Sequence, residues 1–278
     1  MQKLIINADD LGINEQRNHG IFQCFEQGVL TSATLIPNYA QSDKAAKHGR
    51  ERELPCGLHL NLTSGHPLSK KEAIETLLTH DGMFLGVETL ERMLAEGSID
   101  KTHIERECRA QFEWCMDHYG MPTHVDGHHH IHVHPAIAPI FVHVLDRYGI
   151  SFVRIPREDA LPFGYEIPKD QSEHIAKISA RATAAFKIFS AHSIRTTDHF
   201  RGMALAGNAS MRNLRHTLSR LGEGVCELMV HPGSAVPHGE KFDIDPQRQT
   251  EMQMLLNPDT KELLKEREIT LCSYGDLM

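Results

Sequence analysis

Carboxylates and imidazoles gather at a few points of this 278-residue chain, in groupings that suit metal-assisted hydrolysis. The apolar run Lys3–Ala8 leads into Asn7-Ala8-Asp9-Asp10-Leu11-Gly12, so two adjacent carboxylates stand where a strand gives way to a turn. Neighbours on a regular strand face opposite sides. At a turn into Gly12 both can face one cavity. Either Asp alone can instead cap a helix starting near Asn14; the pair together reads as a metal or acid–base group.

A second apolar run, Cys56–Leu62, sets His59 and Asn61 on one face and Leu58, Leu60 and Leu62 on the other. A lone His in such a strand is often a satisfied core residue, but the polar strip His59–Asn61 suits a lined interior. The densest group runs from His124 to Pro135. His124, Asp126, His128, His130, His132 and His134 share one parity, so an extended chain would present them as one polar face. In a helix, His128 and His132 would form a ligand-spaced pair. The internal position and the interleaved Val, Ile and Asp exclude a purification tag. A metal-sticky surface loop is a second reading; a third has only one or two of these histidines acting while the others pack.

Arg154, in Phe152-Val153-Arg154-Ile155-Pro156, can orient a carboxylate, hold a substrate oxygen or serve a structural ion pair. His231 stands at the end of Cys226–Val230, before a Pro-Gly turn that would hold it over a pocket as a general acid. A buried structural histidine is the alternative there. Asp198 and His199 are weaker candidates of the same kind. One carboxylate and two neutral imidazoles leave open positions on a metal. A spare carboxylate would then act as base and a separate histidine as acid. The chemistry expected is attack of a metal-bound water on a carbonyl, with proton loss to the base and protonation of the leaving amine.

The elements that must position these groups are short apolar runs alternating with helical patterns. Strands are expected at Lys3–Ala8, Thr31–Pro37, Cys56–Leu62, Thr123–Gly127, Ser151–Ile155, Ile194–Thr197, Cys226–Val230 and Ile269–Cys272. Helices are expected at Glu15–Glu26, Lys101–His118, Ala136–Tyr148, Ser172–Ser190, Ala209–Leu221 and Pro258–Arg267. Such alternation predicts an α/β fold with parallel strands and outer helices. About eight units point to a closed or nearly closed barrel, whose reactive residues sit at the carboxyl ends of strands. An open doubly wound sheet is the runner-up, although no G-x-G-x-x-G follows the first strand. The whole chain, 1–278, is expected to form one domain, with an insertion at 63–96.

Composition excludes several partners. The net charge is −8 and no stretch gathers Lys and Arg, so nucleic acid and anionic membrane are not expected. Leu4–Ile6 is too short for a signal core or a membrane span. Cysteines 24, 56, 108, 115, 226 and 272 form no C-x-x-C pair, and six reduced thiols in a cytoplasmic protein are expected. Twenty histidines are far more than packing requires.

Asn7-Ala8-Asp9-Asp10-Leu11-Gly12, Gly57-Leu58-His59, Thr123 to His132 and Val230-His231-Pro232 resemble the YdjC-like carbohydrate deacetylases, which include chitooligosaccharide deacetylases. The resemblance extends from residue 3 to about 275, with Leu11 where relatives often have Phe. It implies a distorted (β/α) barrel related to the polysaccharide deacetylases, usually a homodimer, with a divalent metal commonly assigned as magnesium. Zinc would also suit two imidazoles and a carboxylate. Carried over by position, Asp10, His59 and His128 look like metal ligands, Asp9 the general base and His231 the general acid. His132 replaces His128 as ligand if that segment is helical. Arg154, Asn61 and His132 complete the expected site as substrate contacts. The loops Thr63–Glu96 and Pro156–Gln171 are expected to shape sugar specificity. The function implied is removal of acetyl groups from small N-acetylated sugars. Its rivals are a metal-dependent phosphoesterase or cyclic-amide hydrolase on a similar barrel, and a histidine-rich metal-binding protein.

Overall fold

Burial on both faces marks the centre of the sheet. In β1 (Gln2–Leu11) every residue from Leu4 to Leu11 is buried, as a strand covered on both sides requires. The computed structural model describes residues 2–158, 164–236 and 241–278. Its other strands are β2 (Ser32–Leu35), β3 (Cys56–Leu60), β4 (Val125–Gly127), β5 (His199–Arg201), β6 (Gly224–Val230) and β7 (Thr270–Leu271). All pair in parallel, in the order β4-β3-β2-β1-β6-β5, and β7 pairs with Lys3 and Leu4 of β1.

Isolated bridges carry the pairing further. Val125 of β4 bridges Val153, and Phe152 bridges Arg195. Arg195 leads along the chain into β5, which pairs with β6, so the circuit returns to β1. The result is a curled, distorted α/β barrel with helices outside it. The expected strands Ser151–Ile155 and Ile194–Thr197 are thus present only as bridges, and a regular strand begins later, at His199. The expected strand Ile269–Cys272 shrinks to Thr270–Leu271 and lies outside the circuit.

Helices Glu15–Gln27, Lys101–His118, Ala138–Tyr148, Lys169–Ala191, Met211–Leu218 and Pro258–Glu266 occupy the expected places. Helices Ser42–Glu51, Val87–Ala95, Lys241–Ile244 and Gln247–Leu256 were not legible. The buried face of Ser42–Glu51 is Ser42, Ala45, Ala46 and Gly49, too small to leave an apolar stripe. Gln247–Leu256 buries Arg248 and Glu251, which a hydropathy pattern assigns to solvent.

One apolar cluster includes Phe112, Phe141 and Phe189; another includes Leu4, Phe22 and Leu255. Residues 63–96 contain the 3₁₀ turns Lys71–Ala73 and Glu75–Leu77 and the helix Val87–Ala95. The Glu107 carboxylate ties this segment down by accepting from the N–H groups of Leu68 (3.0 Å) and Ser69 (2.9 Å). Residues 159–163, within the expected loop Pro156–Gln171, lie outside the described residues.

Candidate active site

The carboxyl end of β1 breaks its own alternation. Pairing with β2 shifts register between Ala8 and Leu11, and Asp10 adopts a left-handed backbone with φ +68°. Asp is among the few non-glycine residues that take this conformation at modest cost. The irregularity lets Asp9 and Asp10 both border one cavity of about 510 Å³. Neither caps the next helix, because Asn14 does so, its side chain accepting from Arg17 N–H at 2.8 Å.

The register of β3 with β4 sets His59 beside Asp126. His59 Nδ1 lies 2.7 Å from Asp126 Oδ1 and serves as donor, which turns Nε2 toward Asp10 Oδ1 at 3.3 Å. His128 comes next. Its Nδ1 is 3.0 Å from Asp10 Oδ1 and 3.3 Å from His59 Nε2. The segment His128–Val133 is neither strand nor α-helix, since His129 and His130 have φ of 53° and 54°. That reversal points His128 into the cavity and turns His132 away, with Nε2 donating to the Arg154 carbonyl at 2.9 Å.

Asp10, His59 and His128 therefore form a compact triangle. Ligand atoms around one ion stand about 3.0–3.3 Å apart when bonds are about 2.0–2.1 Å long, and the triangle's edges of 3.0, 3.3 and 3.3 Å match. Buried Asp10 Oδ1, at its apex, satisfies no hydrogen bond despite these neighbours. The residues fit a divalent ion. Burial opposes charge on His59, yet Asp126, Asp10 and Asp9 together raise its pKa to about 10. The pocket stabilises positive charge, and a proton and a metal ion would compete for that nitrogen. Asp9, His59 and Asp126 also converge, but Arg154 Nη1 already lies 2.6 Å from Asp9 and 2.8 Å from Asp126. That place already holds its cation.

Asp9 is the end of a buried chain. Tyr274 donates to Glu227 Oε2 at 2.6 Å, Arg154 Nε and Nη2 donate to Glu227 Oε1 at 2.8 and 2.6 Å, and Arg154 grips Asp9. Asn7 Nδ2 adds a bond to Asp9 Oδ1 at 3.0 Å. Burial alone would raise the Asp9 pKa, but the Arg154 charge and hydrogen bonds hold it far below the carboxylate range.

His231 faces Asp9 across the cavity, with Nε2 4.0 Å from Asp9 Oδ2. Its backbone N–H donates to Glu251 Oε2 at 2.5 Å, and Arg248 Nη2 holds Glu251 Oε1 at 2.7 Å. The turn after His231 lies flush on helix Glu15–Gln27, where a Cβ on Gly20 would come within 2.6 Å of Gly233 Cα. Burial drives the His231 pKa down to about 4 against the opposing charges of Glu251 and Asp9. The imidazole is neutral at rest.

Three expected substrate contacts lie elsewhere. Arg154 is fully buried and committed to three carboxylates. Asn61 is buried, its amide bonded to Asn38 Oδ1 and to the Ser64 carbonyl. His132 is buried against the Arg154 carbonyl. None of them lines the cavity. Asp198 and His199 are likewise away from it, bonded to the Val225 N–H and the Glu223 carbonyl. The described lining comes instead from Asp170 and His174 on helix Lys169–Ala191 and from Phe242, Asp243 and Arg248. Residues 63–96 contribute none of it, although Thr63 Oγ1 steadies His129 Nδ1 at 2.8 Å.

The model of a family described as YdjC-like protein matches residues 3–266. The chain belongs to the YdjC-like family. Within the family it is 31% identical to a carbohydrate deacetylase of Danio rerio, with 99% of this chain and 98% of that protein covered. It is 32% identical to the carbohydrate deacetylase of Homo sapiens, covering 99% and 91%. A chitooligosaccharide deacetylase of Salmonella dublin is 31% identical over 99% of this chain and 98% of its own. Among solved structures, a candidate cellobiose-phosphate cleavage protein from Enterococcus faecalis superposes with a TM-score of 0.80 at 23% identity, covering 99% and 98%. That likeness shows that the fold is shared.

Proposed function

We propose that this YdjC-like protein is a metal-dependent hydrolase that removes acetyl groups from small N-acetylated sugars. The observation that carries the reading is the placement of Asp9 and His231 on either side of a cavity that also presents the Asp10–His59–His128 triangle. The names of the Danio rerio, human and Salmonella relatives support the substrate class.

Asp10, His59 and His128 would hold the ion, with Asp126 fixing the His59 ring. A divalent ion there would polarise an acetamide carbonyl and acidify water; the two imidazoles favour zinc, and magnesium, which the resemblance implies, would be held through the Asp10 carboxylate and water. Asp9, ionised throughout the working pH range, orients the attacking water and takes its proton. Neutral His231 lies within reach of one bridging atom, takes up the proton that Asp9 removed from the water, and as imidazolium gives it to the departing amine, returning to the neutral ring. Its low resting pKa fits a relay that is charged only in mid-reaction. Asp170, His174 and Phe242 at the rim contact the sugar.

All six cysteines are unpaired and buried, which supports a reducing, cytoplasmic setting. No described helix is long and apolar enough to cross a membrane. We further propose that residues 1–278 act as one barrel with the insertion at 63–96, and that the protein is a homodimer, which native mass measurement checks.

The decisive experiment is acetate release from a panel of N-acetylated mono- and disaccharides, with and without chelator, Mg²⁺ or Zn²⁺. Metal-dependent acetate is expected. Phosphate from sugar phosphates, or a ring-opened acid from cyclic amides, without acetate from any sugar would replace the reading with the rival hydrolases.

A further inference from the structure

A second group of metal-binding side chains lies outside the cavity. His143 and Asp146 stand three residues apart on one face of helix Ala138–Tyr148, and His192 caps the C-terminus of helix Lys169–Ala191. One ligand atom from each lies within 4.8 Å of the others. His192 Nδ1 is 2.5 Å from Asp146 Oδ2, and the His143 and His192 rings meet edge-on at 5.4 Å. His143 and Asp146 are exposed and His192 half-buried, so an ion reaches them without unfolding.

Electrostatics favour a cation there. Two helix C-termini converge, each carrying the negative end of its dipole, and Asp146 adds a full negative charge in the last turn of one of them. A carboxylate in that position is unfavourable unless something positive compensates it. Arg147 is the basic side chain of that turn, and a divalent ion held between the two imidazoles would add positive charge directly beside Asp146.

We propose that His143, Asp146 and His192 form a second metal site, selective for zinc-class ions, that staples the ends of the two helices. Two imidazoles and one carboxylate suit Zn²⁺ or Cu²⁺ and are a poor set for Mg²⁺. Ligand atoms on a tetrahedral ion stand about 3.3 Å apart, so the 2.5 Å His192–Asp146 pair opens by somewhat under 1 Å as the ion enters. Rotation of two partly exposed side chains provides that. The site sits at the helix ends that lead back into the sheet, the rim opposite the cavity. It plays no part in substrate chemistry.

The test is calorimetric titration of metal-free, full-length protein with ZnCl₂, comparing wild type with His143→Ala/His192→Ala. The variant is expected to bind one equivalent fewer and to keep its deacetylase activity in Mg²⁺. The difference stands whether or not the cavity holds an ion, so it is independent of the proposed function. Cu²⁺ added to a His59→Ala variant should give an electron paramagnetic resonance spectrum with coupling to two imidazole nitrogens. If the double variant does not fold by circular dichroism, Asp146→Asn replaces it, with zinc affinity expected to fall about tenfold or more. Equal stoichiometry and affinity in wild type and folded variants would overturn the proposal.

Discussion

Arg154 grips both oxygens of Asp9, Nη1 to Oδ2 at 2.6 Å and Nη2 to Oδ1 at 2.7 Å, with both side chains buried. The same guanidinium also holds Asp126 and Glu227, so one cation compensates three carboxylates beneath the cavity. Removing one partner of a buried ionic group costs about 3–5 kcal/mol, and Arg154→Ala is expected to lose at least that much. Arg154→Lys keeps the charge but loses the paired geometry. It should fold with a lower melting temperature and about 10- to 100-fold lower kcat. The sign of the pH effect follows from Asp9. Its folded pKa is depressed, so its contribution is present above the ordinary value of 3.8 and lost as pH falls through the folded one. The stability gap between wild type and Arg154→Lys should be widest at neutral pH and narrow below about pH 4. Denaturant titrations across that range check it; a pH-independent gap would contradict the assignment.

His128 and His132 separate the two readings of the histidine-rich segment. His128 belongs to the triangle with Asp10 and His59, while His132 is bonded to the Arg154 carbonyl. His128→Ala should lose both bound divalent ion and activity, as should Asp10→Ala and His59→Ala. His132→Ala should retain one ion per chain in the cavity and instead lose about 2 kcal/mol or more of stability, because it leaves a buried carbonyl unpaired. Metal analysis of the purified variants decides. Loss of the ion from His132→Ala with retention in His128→Ala would reverse the roles.

His231 Nδ1 stands 3.8 Å from Glu251 Oε2, so the carboxylate acts on the ring through its charge. His231→Ala should keep its metal and lose about 10²–10⁴ in kcat. Glu251→Gln removes the carboxylate that most opposes the effect of burial, so the His231 pKa should move below its value of about 4. A ring-proton titration by nuclear magnetic resonance reads that shift directly. An upward shift would mean that Glu251 does not act on the ring.

Most strand ends were legible because the apolar runs stop at a polar residue, as Lys3–Ala8 does at Asp9 and Cys226–Val230 at His231. Asp9 and Asp10 could be seen as a pair from adjacency alone. The bulge that turns both inward was not visible, because it depends on the register of β1 with β2. Parity misled at His124–His134, since left-handed His129 and His130 reverse the chain and separate His128 from His132. Arg154 was expected as a substrate contact, but it lies in the packed layer beneath the cavity, where it holds three carboxylates. Glu251 and Arg248 gave no signal, because charged residues buried as a pair look the same as a solvated helix face.

Buried neutral histidines should make the protein labile in mild acid. His124, His132 and His231 are all buried, and burial lowers their pKa values to about 3, 4 and 4. In the unfolded chain each titrates near the ordinary histidine value of 6.5. Between that value and the folded ones, the unfolded state binds more protons, so stability falls as pH drops. Each such group contributes up to about 1.4 kcal/mol per pH unit over that window. His59 acts in the opposite direction, with a folded value raised to about 10 in the absence of metal. Its contribution is fully present below 6.5 and lost as pH rises through 10, so it cannot offset the acid slope. Replacing His124, which stacks on Tyr274 with ring centroids 3.7 Å apart, by Phe keeps an aromatic ring and removes one titrating group. The His124→Phe variant should show a shallower loss of stability between about pH 6.5 and pH 4 than wild type. Urea unfolding at half-unit pH steps measures the slope, and an unchanged slope would show that His124 is not neutral in the folded protein.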